Sequence, residues 1–174
     1  MKFVVPTLAV LAAWAVGCGG RSSSPTAIET PAVIRAVLAA GVPEQPAGSI
    51  ADLRRTSRPG QTVVVEGRIM GRPEPFLERR AAFVLGDGSL TPCNERPGDK
   101  CPTPWDLCCE PPDAVRNGTA VLRIVDEAGR VVPMGLKGIG GLRELARVRV
   151  RAVVAPESTP EAWILDARAI AVLP

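Results

Sequence analysis

The chain has 174 residues, with 21 Lys and Arg against 18 Asp and Glu, for a formal charge of +3. That near balance gives no field strong enough to gather nucleic acid or anionic lipid by charge alone. Histidine and tyrosine are absent and only 3% of residues are aromatic, which removes the commonest general base and thins any stacking surface for single-stranded nucleic acid.

Residues 1–17 read as an export signal. Met1 and Lys2 give a positive start, Phe3 to Val16 form an apolar run interrupted only by Pro6 and Thr7, and Ala15-Val16-Gly17 places small residues before Cys18. The run falls short of the roughly 18 apolar residues that a membrane span requires, so a retained transmembrane helix is not expected. The tetrapeptide Ala15-Val16-Gly17-Cys18 resembles the lipobox of bacterial lipoproteins. That resemblance implies cleavage after Gly17, diacylglycerol on the Cys18 thiol and acylation of the new amino terminus, so that lipid holds the protein on a membrane. Gly19, where an aspartate would retain the protein at the inner membrane, implies by the same family pattern an outer-membrane location in the cell envelope, facing the periplasm.

About 157 residues follow the signal, enough for one domain with its own core and a tether. Residues 18–48 are read as the tether. Gly19 to Glu29 offers little to bury and stays flexible. Thr30-Pro31 supplies a cap followed by proline at the first helical position, Ile34, Val37 and Leu38 recur at helical spacing, and Gly41 can end the helix, so a short helix is expected over 31–40. After a Pro-rich stretch, Ser49 caps a second short helix, Ile50 to Arg55, and Pro59-Gly60 turns the chain. The compact domain is expected to be 49–174.

From there the apolar period is two. Val63, Val65 and Ile69 share one face of Thr62 to Met70 while Val64, Glu66 and Arg68 share the other, and Gly67 permits a bend. Ala81 to Asp87 is expected as a second strand and Thr119 to Asp126 as a third, followed by a turn at Glu127-Ala128-Gly129 into Arg130-Val131-Val132. Gly141 to Leu145 is expected as a helical turn. Arg147 to Val154 alternates cleanly, with Arg147, Arg149 and Arg151 on a face expected in water, and Trp163 to Val172 is the last strand.

Three strands, a helical turn and two strands, preceded by Ser49-Ile-Ala-Asp-Leu-Arg54 and by Pro59-Gly60-Gln-Thr-Val-Val-Val-Glu-Gly-Arg-Ile69, resemble the OB-fold domains of the nucleic-acid-binding type. The resemblance covers about residues 49–172 and implies a mainly β, five-stranded small barrel with a short helix. It does not choose the ligand. The chain departs from the family by an insertion, residues 88–118, between the second and third strands.

That insertion holds Cys93, Cys101, Cys108 and Cys109 in a segment too polar and too rich in proline to be core. In an exported chain an even set of cysteines is read first as disulfides. A bond between neighbours Cys108 and Cys109 is strained, so two disulfides are expected, joining Cys93 and Cys101 each to one of the adjacent pair. The alternative is a metal or redox site of four thiolates on one zinc ion or an iron–sulfur cluster, against which stand intervals of seven, six and no residues where zinc sites usually pair cysteines two to four apart. Without that alternative no cofactor is implied. The phrase Thr103-Pro-Trp-Asp-Leu-Cys-Cys109 resembles a cysteine-containing segment of uncharacterised bacterial lipoproteins, which supplies no activity.

Trp105 and Asp106 lie between these cysteines and are the candidate binding residues, because a tryptophan on a rigid loop brings large apolar area at low entropic cost. The alternative role for Trp105 is to cover the disulfides. Asp87, Asp99, Asp106, Glu110 and Asp113 lack the alternating ligands of an EF-hand and are expected as solvated carboxylates. No Gly-x-Ser-x-Gly elbow or phosphate-binding glycine loop occurs. No catalytic residue is assigned, and the sequence reads as a non-enzymatic, membrane-anchored interaction module. Its expected partners are the membrane, through the lipid on Cys18, and an envelope protein or small ligand; nucleic acid is not expected.

Overall fold

The structure, a computed structural model, describes residues 1–2, 29–71 and 73–174. Apart from Met1 and Lys2, the expected signal lies outside the described residues, as do its lipobox and Cys18. Among those described, no helix is long and apolar enough to cross a membrane.

Five strands close into a barrel: β1 (Thr62–Ile69), β2 (Ala82–Gly86), β3 (Thr119–Arg123), β4 (Arg147–Val154) and β5 (Ile164–Val172), in the spatial order β1-β2-β3-β5-β4. All neighbours are antiparallel except β3 and β5, which run parallel through Val121↔Ile164 to Arg123↔Asp166. This is the order of an OB-like small barrel, so the mainly β fold expected from the strand pattern is the one found. The barrel is closed rather than partly open. Closure between β1 and β2 rests on only Arg68↔Gly86 and Ile69↔Leu85. There the backbones cross so closely that a Cβ on Gly67 would lie 2.3 Å from the Gly86 carbonyl oxygen, which makes the glycine obligatory.

Alternation along the strands fills the interior. Val65, Ile69, Phe83, Leu85, Leu122, Val148, Val150 and Leu165 are fully buried and belong to one apolar core. On the outside of β1 and β4, Glu66 faces Arg149 in register. Its carboxylate accepts from Arg147 at 2.9 Å and from Arg149 at 2.8 Å, so the arginine face expected in water is in part a cross-strand ion network.

Three helices accompany the barrel: α1 (Ala32–Ala39), α2 (Ile50–Thr56) and α3 (Pro112–Gly118). The first two match the capping signals, and the Ser49 hydroxyl accepts from the Asp52 amide. α1, read from sequence as part of the tether before residue 49, is docked on the barrel. Ile34 is fully buried and Val37 nearly so, and both belong to the barrel core; each such burial is worth about 1.5–3 kcal/mol. Gly48 bridges Val65, so the packed unit reaches back to α1.

Two local expectations are corrected. The helical turn expected over 141–145 is a short 3-10 turn at Ile139–Gly141. Gly138, Gly140 and Gly141 all have positive φ there and Leu145 follows with φ 62°, a backbone that cannot continue an α-helix. The insertion, expected as loop alone, ends in α3, which starts with proline in its first turn.

Candidate functional site

The cysteine insertion folds back on itself through backbone hydrogen bonds. The Cys93 amide donates to the Asp106 carbonyl at 2.9 Å and the Asn94 amide to the Pro104 carbonyl at 3.0 Å, which sets the 3-10 turn Cys93–Glu95 against the Thr103–Asp106 turn. Glu110 clamps the base: one carboxylate oxygen accepts from the Thr91 amide at 3.0 Å and from Arg96 at 2.6 Å. Leu90 and Leu107 bury themselves against Met70 in a small satellite core. Hydrogen bonds and this apolar anchor therefore give the loop its shape.

The four cysteines do converge, but not as disulfides. The Cys93 and Cys108 sulfurs are 3.4 Å apart, and Cys108 lies 3.8 Å from both Cys101 and Cys109. A disulfide needs about 2.05 Å, so the two expected bonds are absent and all four are free thiols. Cys93 is buried, Cys101 half-buried, and Cys108 and Cys109 exposed. Its hydrogen bond with Asp99, then its contacts with Cys108 and Cys93, push the Cys101 thiol well above the ordinary range. Cys109 is raised chiefly by Cys108. Crowding disfavours placing several negative charges together.

Trp105 does not project freely. Its indole N–H donates to the Pro73 carbonyl at 2.8 Å and its own carbonyl accepts from the Gly71 amide at 3.1 Å. The ring packs on the satellite core, with the Lys137 ammonium 5.9 Å above it. The residue thus pins the insertion to the loop between β1 and β2. Asp106 caps its own turn by accepting from the Leu107 amide at 2.7 Å. Two carboxylates expected in solvent are structural instead. Asp87 is 7% exposed and accepts from the buried Ile50 amide at 2.7 Å, and Glu110 is held as described.

Beside the insertion runs an open groove of about 700 Å3. Its floor is the outer face of β2 and β3, where Val84 and Val121 pair. One wall is Asp106 to Cys108 and Glu110 with α3, and another is Glu161 to Trp163 from the loop between β4 and β5. Gly71 and Pro73 of the loop between β1 and β2 also contribute. Arg54 reaches in from α2 and ties these parts together, donating to the Thr119 carbonyl at 3.1 Å and the Pro160 carbonyl at 2.5 Å. Burial, then the like charge of Arg116, lowers its pKa. Sequence reading missed Arg54, Val121 and Trp163 as one surface, since each lies on a different element and no local spacing links them. Of the two binding candidates, Asp106 lines this groove and Trp105 stands behind its wall.

No protein-family model matches this chain. No curated protein matches it either. Among solved structures it is similar to that of the hypothetical protein YgiW from E. coli, with 13% identity and a TM-score of 0.40 over 75% of this chain and 94% of that one. The strand order and register of the chain itself place it among OB-like five-stranded barrels.

Proposed function

We propose that this chain is a lipid-anchored envelope protein, held through Cys18 on the outer membrane and facing the periplasm, whose OB-like barrel is a non-enzymatic module that binds an extended segment of an envelope partner. The carrying observation is the position of the groove. It lies on the outer β2–β3 face between the β1–β2 and β4–β5 loops, the face that OB barrels use for linear ligands. The apolar floor of Val84 and Val121 suits side chains. Walls carrying Arg54 and Arg116 beside Glu110 and Glu161 suit a chain of mixed charge rather than a polyanion. The barrel aromatics Phe76, Phe83 and Trp163 are each at most 7% exposed, which leaves no stacking platform there for nucleic acid bases. Asp106 and Glu110 are committed to shaping the insertion, and the chain has no histidine to serve as a general base beside them.

The reading is tested by panning a random peptide display library on the full chain and on Val121→Glu. That substitution puts a charge on the groove floor and leaves the barrel interior untouched. Enriched peptides should bind the variant at least about tenfold more weakly, the equivalent of about 1.4 kcal/mol. Peptides that bind both equally, or no enrichment at all, overturn the groove assignment. Anchoring is tested separately by Cys18→Ser, which should abolish acyl labelling and membrane retention; unchanged retention refutes it.

A further inference from the structure

We propose that Cys93, Cys101, Cys108 and Cys109 bind one soft divalent metal ion of the zinc class as four thiolates, forming a structural metal centre at the rim of the groove. This goes beyond the binding function above and depends on it in no step, since the two sites share only Cys108.

The sulfur positions carry it. A tetrahedral site with metal–sulfur bonds of about 2.3 Å has edges of about 3.8 Å. Cys108 stands at 3.4, 3.8 and 3.8 Å from Cys93, Cys101 and Cys109. Cys93 is within 4.8 Å of Cys109 in one potential metal-binding group and within 4.8 Å of Cys101 in another. Three of the six edges of a four-sulfur tetrahedron are therefore at or near their required length before any ion enters, and two more are no longer than 4.8 Å. Two disulfides would need two pairs drawn in to about 2.05 Å, while an iron–sulfur cluster interposes its own iron and sulfide between the cysteines and needs them spread further apart.

The support around the sulfurs is also in place. The hydrogen bonds from Cys93 to Asp106 and from Asn94 to Pro104 fix the first ligand against the turn that leads to the last two, and the Cys101 amide donates to Asp99 at 3.2 Å. Cys93 is fully buried and Leu107 nearly so, so the chain on either side of the centre is rooted in the protein. Four thiolates and one divalent cation leave two negative charges. Arg96 is held in the insertion by Glu110 at 2.6 Å, and its Nε is buried without a hydrogen-bond acceptor. A metal-bound sulfur is an acceptor of the kind that outer-shell donors satisfy. The long intervals between cysteines, unlike the short pairs of common zinc sites, follow from the two turns of the insertion that bring the ligands together.

The experiment is titration of the reduced full chain with zinc and with cobalt(II), beside Cys93→Ser and Cys109→Ser. One equivalent of metal should bind. Cobalt should give the intense sulfur-to-metal charge-transfer absorption of a tetrahedral thiolate site, and the four loop thiols should resist a thiol reagent until a chelator is added. Each serine variant should bind at least about tenfold more weakly, since even outer-shell losses cost that much, with charge-transfer intensity reduced. Cys109 is exposed, so its variant keeps the test valid if the buried Cys93 variant does not fold. Failure of the reduced chain to take up metal overturns the proposal, as does cobalt binding without charge transfer or unaltered by Cys109→Ser. Isolation of the chain without metal, with its loop cysteines unreactive until a reductant is added, overturns it in favour of disulfides. None of these outcomes bears on peptide capture by the groove.

Discussion

Asp87→Ala should be among the most damaging single substitutions outside the barrel interior. The carboxylate sits at the end of β2, 7% exposed, and accepts from the Ile50 amide at 2.7 Å and the Ser89 amide at 3.0 Å. Ile50 is fully buried, so no water can replace the lost acceptor at the start of α2. A hydrogen bond to a charged group is worth about 1.5–3 kcal/mol, and a buried donor left unsatisfied costs about 1–3 kcal/mol. These overlap, because losing the first creates the second, and a total of about 3 kcal/mol is expected. For a domain of this size that lowers Tm by about 10 °C. Asp87→Asn keeps one acceptor oxygen and should cost about 1 kcal/mol. Urea unfolding followed by circular dichroism gives the two values, provided that the denaturant slope stays constant across the series. An alanine variant within about 0.5 kcal/mol of the parent would show that α2 is not held by this contact. An asparagine variant as damaged as alanine would show that charge at the helix start matters more than the acceptor.

Gly67→Ala should destabilise by about 2 kcal/mol or more, because the added Cβ meets the Gly86 carbonyl where β1 and β2 close the barrel and both backbones must move; equilibrium unfolding measures it, and a neutral result would mean that this closure is loose. Glu66 has a lowered pKa, held down first by its hydrogen bond to Arg149 and then by Arg147. Its contribution to stability is therefore complete above the ordinary carboxylate value of about 4.3 and fades as pH falls through the lowered one. Stability measured from neutral to acid pH should fall less steeply for Glu66→Gln than for the parent, and identical slopes would exclude the cross-strand network as an acid-sensitive element.

The five strands and two of the three helices were legible because their signals are local. Alternating valines in Thr62–Ile69 and Arg147–Val154 write their own two-residue period, and Ser49 announces its helix by capping. α3 was missed because its opening prolines read as loop, and the 141–145 turn was misread because apolar spacing there competes with three glycines that take positive φ. The disulfide expectation came from cysteine number and expected compartment, neither of which carries distance.

By itself, then, the sequence determined the strand pattern, the OB-like order and the gathering of four cysteines into one insertion, since periodicity and turn chemistry act over a few residues. Only the tertiary structure decided the rest. α1 joins the domain because Ile34 finds a place in the barrel core, and Trp105 faces inward because the Pro73 carbonyl takes its N–H. The groove exists because Arg54, Val121 and Trp163, 42 or more residues apart in sequence, meet on one surface. The Cys108 sulfur stands 3.4, 3.8 and 3.8 Å from those of Cys93, Cys101 and Cys109 because two turns and the Glu110 clamp fold the insertion, a convergence set by packing that no spacing in the chain encodes.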